Sequence, residues 1–164
     1  MAEQVSMSAF EVTLEPERVQ LEAFIEDYRA AIERTLDGLT EEQARRRLVP
    51  SATTLLGLLT HVTWMQRVWF EHCVGGTDRS AFGAQSVDES FELDDEDTIA
   101  TVLAAHQKAC ATARTIAAGL SLDTVASGHA AGPRTLRWVY LQVLRELAQH
   151  CGHADILREQ ILAG

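Results

Sequence analysis

The most regular hydrophobic pattern in the chain lies near its C-terminus, over residues 135–162. Apolar residues recur there every three or four positions, which is the spacing of one face of an α-helix. Three polar residues, Glu146, His150 and His153, occupy positions on that same face. The pattern therefore predicts a long helix whose inward side carries a carboxylate and two imidazoles.

Three further segments show helical spacing, and they cover residues 16–39, residues 51–76 and residues 98–120. Thr40 and Gln43 have the spacing of a capping box, so a short helical turn is expected between the segments 16–39 and 51–76. Residues 75–96 are rich in Gly, Ser and Asp and are too many for a tight turn. We therefore predict an all-α fold, a single four-helix bundle in which this segment packs along the bundle as a crossover between roughly parallel second and third helices.

Composition narrows the class of protein. A chain of 164 residues with 46% hydrophobic residues suits one domain, residues 1–164, and no apolar run approaches a membrane span. A net charge of −10 argues against nucleic-acid and anionic-membrane surfaces, so small-molecule chemistry is expected. The acidic N-terminus predicts no signal peptide, and three cysteines without a CxxC pair fit a cytoplasmic protein.

A second helix supplies a partner for the polar face. His61 lies on an apolar stripe, and antiparallel packing would put it within about one turn of the level of His150. Glu146 and His150 are four residues apart and can hold one ion from the same face, with His61 as a third ligand. Three protein ligands leave a coordination position open, which distinguishes a catalytic metal from a structural one.

Other interpretations of these residues stay open. The trio could be a metal-free polar network. His153 could replace Glu146 as a ligand, although we expect it to line the substrate cavity as a catalytic residue. The remaining histidines, His72, His106 and His129, are predicted to lie at a helix end, on a helix surface and in a loop respectively.

The only concentrated positive charge is the cluster Arg45, Arg46 and Arg47. It is either a solvated face or dimer contact, which we favour because charge runs are usually solvated, or an anion clamp at the mouth of a pocket. Trp64 and Trp69 beside His61 are expected in the core more than in a pocket.

The segments SATTLLGLLTHV and LRWVYLQVLRELAQHCGHADILREQILAG resemble the DinB-like metalloprotein superfamily, specifically its actinobacterial branch of mycothiol-dependent S-transferases and maleylpyruvate isomerase. The resemblance implies a four-helix bundle in up-down-down-up order, with metal ligands at His61, Glu146 and His150. The Glu form is similar to the isomerase branch. The chain departs from the usual pattern at Gln142 and Arg145, and also at Gln149, which bears on the substrate and the thiol.

The resemblance and the open position together predict a transferase. A divalent metal, zinc by expectation with nickel or iron as alternatives, would deprotonate mycothiol for attack on a small electrophile. Trp64, Arg45, Arg46 and Arg137 are candidates for thiol or substrate binding. A metal-dependent hydrolase, an isomerase and a non-catalytic metal-binding bundle are the alternatives. An apolar bundle with a basic cluster often forms a homodimer, and the oligomeric state stays open.

Overall fold

The computed structural model describes residues 7–164, and its regular structure is almost entirely helical. The all-α prediction is confirmed at this level. The helices are α1 (Glu17–Arg34), α2 (Glu41–Ala44), α3 (Leu55–Gln66), α4 (Ile99–Ala117) and α5 (Leu136–Ala163). The sequence predicted only a loop before α5, but this loop contains two short antiparallel strands, β1 (Val125–Ala126) and β2 (Arg134–Thr135).

Threonine side chains set where the helices begin. Thr40 and Gln43 form the predicted capping box at the start of α2. Thr54 accepts a hydrogen bond from the Gly57 amide and so caps α3. Thr135 caps α5 in the same way. Each cap satisfies an amide that the helix itself leaves free.

Helix α3 continues into a wider, π-helical segment, Arg67–Val74. The amide of Gly75 donates to the carbonyl of Phe70, five residues earlier, at 2.8 Å. The predicted helix over these residues is therefore present, but its last two turns are wider than an α-helix.

Helix α3 lies in the middle of the core. Helix α1 packs along α5, and α3 packs against both α4 and α5. Every residue of α3 except Thr60 is buried. In residues 7–164, no helix is both long and apolar enough to cross a membrane.

The long connection, residues 75–98, packs against α3. It includes two short 3₁₀ turns, Arg79–Phe82 and Glu89–Phe91. Phe82 and Ser90 are buried, and the indole N–H of Trp64 donates to the carbonyl of Ala84 at 2.8 Å. This segment therefore packs against the core and does not project away from it, while its role as a crossover stays a prediction.

His106 is buried in a polar network between helices, so its prediction as a surface residue was wrong. Its Nδ1 donates to Thr63 Oγ1 at 3.0 Å, because the Thr63 hydroxyl already donates to a backbone carbonyl. Its Nε2 lies 3.4 Å from Cys110 Sγ. Arg29 Nε donates to the buried Gln66 on the same side at 2.6 Å. His106 and Cys110 share the face of α4 that packs on α3, which is why the imidazole points inward.

Candidate metal centre

Helices α3 and α5 bring together the three predicted ligands. One ligand atom from each of His61, Glu146 and His150 lies within 4.8 Å of the other two. The two imidazole rings meet edge to face with centroids 4.6 Å apart. His150 Nε2 lies 3.5 Å from Glu146 Oε2. Both histidines are buried and Glu146 is half-buried, so the cluster lies in the interior of the fold and not on its surface.

The long connection fixes the tautomer of His61. Ser90 Oγ donates its single proton to the Val87 carbonyl at 2.5 Å, and it lies 2.7 Å from His61 Nδ1. Since the hydroxyl proton is already used, Ser90 must accept, and Nδ1 must carry the hydrogen. The lone pair of His61 is therefore on Nε2, as a metal-ligating imidazole requires.

An aromatic ring holds His61 from a second direction. Phe91 stacks on the imidazole with centroids 4.0 Å apart and planes 9° from parallel. This close approach of the long connection depends on Gly57, one turn before His61. A Cβ at Gly57 would lie 2.7 Å from the Phe91 carbonyl oxygen, so a side chain there would displace the segment.

Glu146 is oriented by two neighbours on its own helix. Gln142 Nε2 and Arg145 Nη2 both donate to Glu146 Oε1 at 2.9 Å. The other oxygen, Oε2, is left facing His150. Two of the positions at which the sequence departs from the family pattern therefore contact the predicted carboxylate ligand.

Both imidazoles are held neutral. Burial, followed by the field of His150, lowers the pKa of His61 to about 4. Burial also lowers the pKa of His150, with Glu146 opposing the shift. A neutral imidazole has the lone pair that a metal ion needs, so neither ligand must lose a proton at neutral pH.

The residues fit a divalent metal. Two imidazoles and one carboxylate form a donor set that suits zinc and similar ions. Two donors about 2.1 Å from one ion are at most about 4.2 Å apart, so binding requires only a small contraction. Within residues 7–164, no atom is hydrogen-bonded to the buried Nδ1 of His150. A buried polar atom without a partner costs free energy of folding. A ligand to the His150 ring would remove this cost.

The cluster opens into a cavity of about 440 Å³. Its walls come from α3, its π-helical extension, the long connection, α5 and the loop before α5. The lining residues are His61, Trp64, Met65, Val68, Trp69, Arg79, Val87, Phe91, His129, Gln142, Glu146, Gln149 and His150. The space is large enough for a small molecule beside the three ligands.

His129 and Arg79 are among the lining residues that were not predicted as site residues. His129 lies in a loop as expected, but its ring stacks on Trp69 at 4.9 Å and so reaches the cavity. Arg79 is placed there by the 3₁₀ turn of the long connection. No periodic pattern covers either segment, so spacing could not have found them.

Of the residues predicted to bind thiol or substrate, only Trp64 lines the cavity. Arg45 instead donates to the carbonyls of Asp94 and Asp97, which ties α2 to the end of the long connection. Arg137 pairs with Glu17 and Asp123 at the start of α5. Arg46 also lies outside the cavity lining. A binding role for Arg45, Arg46 and Arg137 stays a prediction. Backbone carbonyls contact Arg45, and two carboxylates pair with Arg137.

His153 does not lie on the inward face. Its side chain is exposed, with its ring 5.5 Å from that of His150, and it lines a separate depression with Ile156 and Leu157. The predicted stripe was wrong at this position because three residues of α-helix turn a side chain by about 300°, which carries His153 past the edge of the buried face.

Two buried histidines and a half-buried glutamate converge on one cavity, so this chain belongs to the class of helical proteins with a candidate metal centre. Residues 20–163 match the family model described as Mycothiol-S-transferase. The chain belongs to this family, a DinB-like family, and the predicted resemblance is confirmed. A comparison with curated proteins found no match.

Proposed function

We propose that this protein is a metal-dependent S-transferase that joins the sulfur of mycothiol to a small electrophile in the cavity. Membership of the family supports the thiol and the reaction class. The observation that carries the proposal is the convergence of His61, Glu146 and His150 on one cavity.

His61, Glu146 and His150 would hold one divalent ion, with zinc expected from the donor set. Such an ion supplies Lewis acidity, which lowers the pKa of a coordinated thiol. Ser90 accepts a hydrogen bond from His61 Nδ1, which keeps the lone pair of that ring on Nε2. Gln142 and Arg145 donate to one oxygen of Glu146. These contacts preorganise the ligands before any substrate arrives.

The transfer itself is a substitution or an addition. In the substitution, the thiol S–H bond breaks, a new S–C bond forms, and the leaving group departs with its electron pair while the proton goes to solvent. Trp64, Trp69 and Phe91 form apolar walls that exclude water from the reacting atoms. His153 stays a predicted catalytic residue, since its exposed ring beside His150 can exchange a proton with solvent.

The proposal extends to the organisation of the chain. The four long helices would form one bundle in up-down-down-up order, with the long connection as the crossover. We further propose that the single domain acts in the cytoplasm, and that a homodimer is its expected assembly. An acidic chain of net charge −10 supports a small-molecule partner over nucleic acid.

The test combines metal content with thiol transfer. Protein purified without chelators or nickel resin is analysed by mass spectrometry, for wild type and for His61→Ala, Glu146→Ala and His150→Ala. We expect one metal per chain in wild type and loss of most of it in each variant. Conjugation of monochlorobimane is then followed with mycothiol, bacillithiol, glutathione or cysteine.

We expect acceleration with mycothiol that His150→Ala abolishes. Stoichiometric metal in all three variants would refute the ligand set. No acceleration with any thiol, together with metal-dependent ester or amide hydrolysis, would replace the transferase with a hydrolase.

A further inference from the structure

Arg79 is a cation in the cavity wall, and no carboxylate of residues 7–164 forms an ion pair with it. Its Nη2 donates to the Gln85 carbonyl at 2.9 Å. Its Nε is buried, and no atom in residues 7–164 accepts a hydrogen bond from it. Ion pairs within this part of the chain engage other arginines, namely Arg18, Arg29, Arg67, Arg114, Arg137 and Arg145.

The guanidinium lies on the same cavity as the candidate ligands. Its central carbon is 5.2 Å from the ring centroid of Trp64, and that ring is 6.2 Å from the ring of His61. Arg79 and His61 are therefore no farther apart than the sum of these two distances. A small molecule can contact the arginine with one end and reach the candidate metal centre with the other.

From this arrangement we infer that the electrophilic substrate carries a carboxylate, which Arg79 binds. The inference rests on the proposed function. An arginine donates charge-assisted hydrogen bonds in a planar array that matches a carboxylate. Mycothiol is a cysteinyl sugar conjugate with no carboxylate or phosphate, so the anion belongs to the electrophile.

The charges around the cavity also fix the orientation of that substrate. Glu146 is the carboxylate among the lining residues, and it lies with His61 and His150 at the candidate metal centre. Like charges repel, so an anionic group is favoured at the Arg79 end and disfavoured beside Glu146. The uncharged, electrophilic end of the substrate is thereby directed toward the thiol.

Direct binding tests this inference without requiring catalysis. Two of the three tryptophans, Trp64 and Trp69, line the cavity, so a bound nitroaromatic compound quenches their fluorescence. The probes are 3-nitrobenzoate and its methyl ester, titrated into the full chain in excess EDTA so that no metal binds the carboxylate. We expect the acid to bind wild type at least tenfold more tightly than the ester.

Variants assign the preference to Arg79. Arg79→Gln should weaken binding of the acid at least tenfold and leave that of the ester unchanged. Arg79→Lys should keep only part of the preference, because a lysine keeps the charge without the planar array. Arg34→Gln, at an exposed arginine outside the cavity, removes the same charge and should change neither constant. Circular dichroism confirms that each variant is folded.

Equal binding of acid and ester by wild type, or unchanged acid binding by Arg79→Gln, would overturn the inference. Turnover of 4-chloro-3-nitrobenzoate and its methyl ester with mycothiol separates it from the proposed function. If the acid bound preferentially but no thiol was transferred, the anion subsite would be supported and the transferase function refuted. If thiol transfer occurred without a preference for the acid, the transferase function would be supported and the anion subsite refuted.

Discussion

His61 donates a 2.7 Å hydrogen bond from Nδ1 to Ser90, and this bond joins the buried helix α3 to the long connection. The serine is itself fixed by its bond to the Val87 carbonyl. Groups that orient a metal-ligating histidine in this way commonly contribute about 10–100-fold to metal affinity. The relationship therefore extends the candidate site beyond its three ligands.

Ser90→Ala should weaken metal binding about 10-fold or more, because His61 Nδ1 would lose its acceptor and the ring its orientation. The cost to the free energy of unfolding should be about 1 kcal/mol. Competition with a chromogenic zinc chelator measures the affinity. Ser127→Ala, in an exposed loop, serves as the control and should bind zinc like wild type. Equal affinity of the two variants would contradict the role of Ser90.

Gly57→Ala should disturb the site without touching a ligand. Its new methyl group would meet the Phe91 carbonyl, and the displaced segment carries both Phe91 and Ser90 away from His61. Overpacking of this kind costs about 1–3 kcal/mol, and zinc affinity should fall as well. Thermal unfolding and chelator competition measure the two effects.

Gly152→Ala is the matched control for that substitution. Gly152 lies in α5 between His150 and His153, and a Cβ there would meet no atom within 4 Å. Since alanine favours the helix, this variant should be more stable by about 0.5–1 kcal/mol with unchanged zinc affinity. If Gly57→Ala behaved like this control, the close approach at Phe91 would not matter for the site.

His153→Ala separates the roles predicted for this histidine. Because its ring is exposed and the three-residue cluster forms without it, the variant should keep nearly all of its metal. A catalytic role predicts a lower rate of thiol transfer at unchanged metal content, by about 10-fold or more if His153 carries protons. Loss of metal from His153→Ala would show that His153 is a metal ligand. An unchanged rate of thiol transfer would show that His153 has no catalytic role.

His106 should make stability depend on pH. Burial lowers its pKa to about 4 from an ordinary value of 6.5. As pH falls below about 6.5 the unfolded chain takes up the proton first, so this stabilisation is complete above that pH and is lost progressively toward about 4. The full effect is about 3 kcal/mol.

Urea unfolding at pH 7.5 and 4.5 tests this dependence. The loss of stability between the two should be smaller in His106→Gln than in wild type. Carboxylates titrate in both proteins, so the difference between them isolates the histidine. A loss of the same size in both would mean that His106 does not titrate as its burial requires.

Helical periodicity predicted the helices and the meeting of His61 with His150, because both depend on which side of a helix a residue occupies. The same reasoning placed His153 wrongly, since beyond His150 the buried face continues through Ala154 and Leu157 and His153 lies outside it. It also misplaced His106, where a polar residue on the packed face of α4 finds partners on α3. Periodicity shows a face, and it does not show how far that face extends.

The rest of the site comes from segments without periodicity. Arg79 and Phe91 reach the cavity, and Ser90 reaches His61, through two 3₁₀ turns within a segment that the sequence indicated only as long and polar. The contacts of the arginine cluster could not be predicted for a related reason. Its first member, Arg45, is bound by carbonyls 49 and 52 residues away in the chain, a contact that no local pattern encodes.

Because helix α3 is buried and most of the long connection is not, the two walls of the cavity should move at different rates. Amides in α3 are covered on nearly every side, so their hydrogens should exchange with solvent only when the whole protein unfolds. The long connection has many exposed residues and short turns, so its amides should exchange through much smaller openings. The backbone at His61 should therefore exchange its amide hydrogens slowly, while the backbone at Ser90 and Arg79 should exchange them faster. Substrate can enter by movement of the outer wall while the backbone that carries His61 keeps its place.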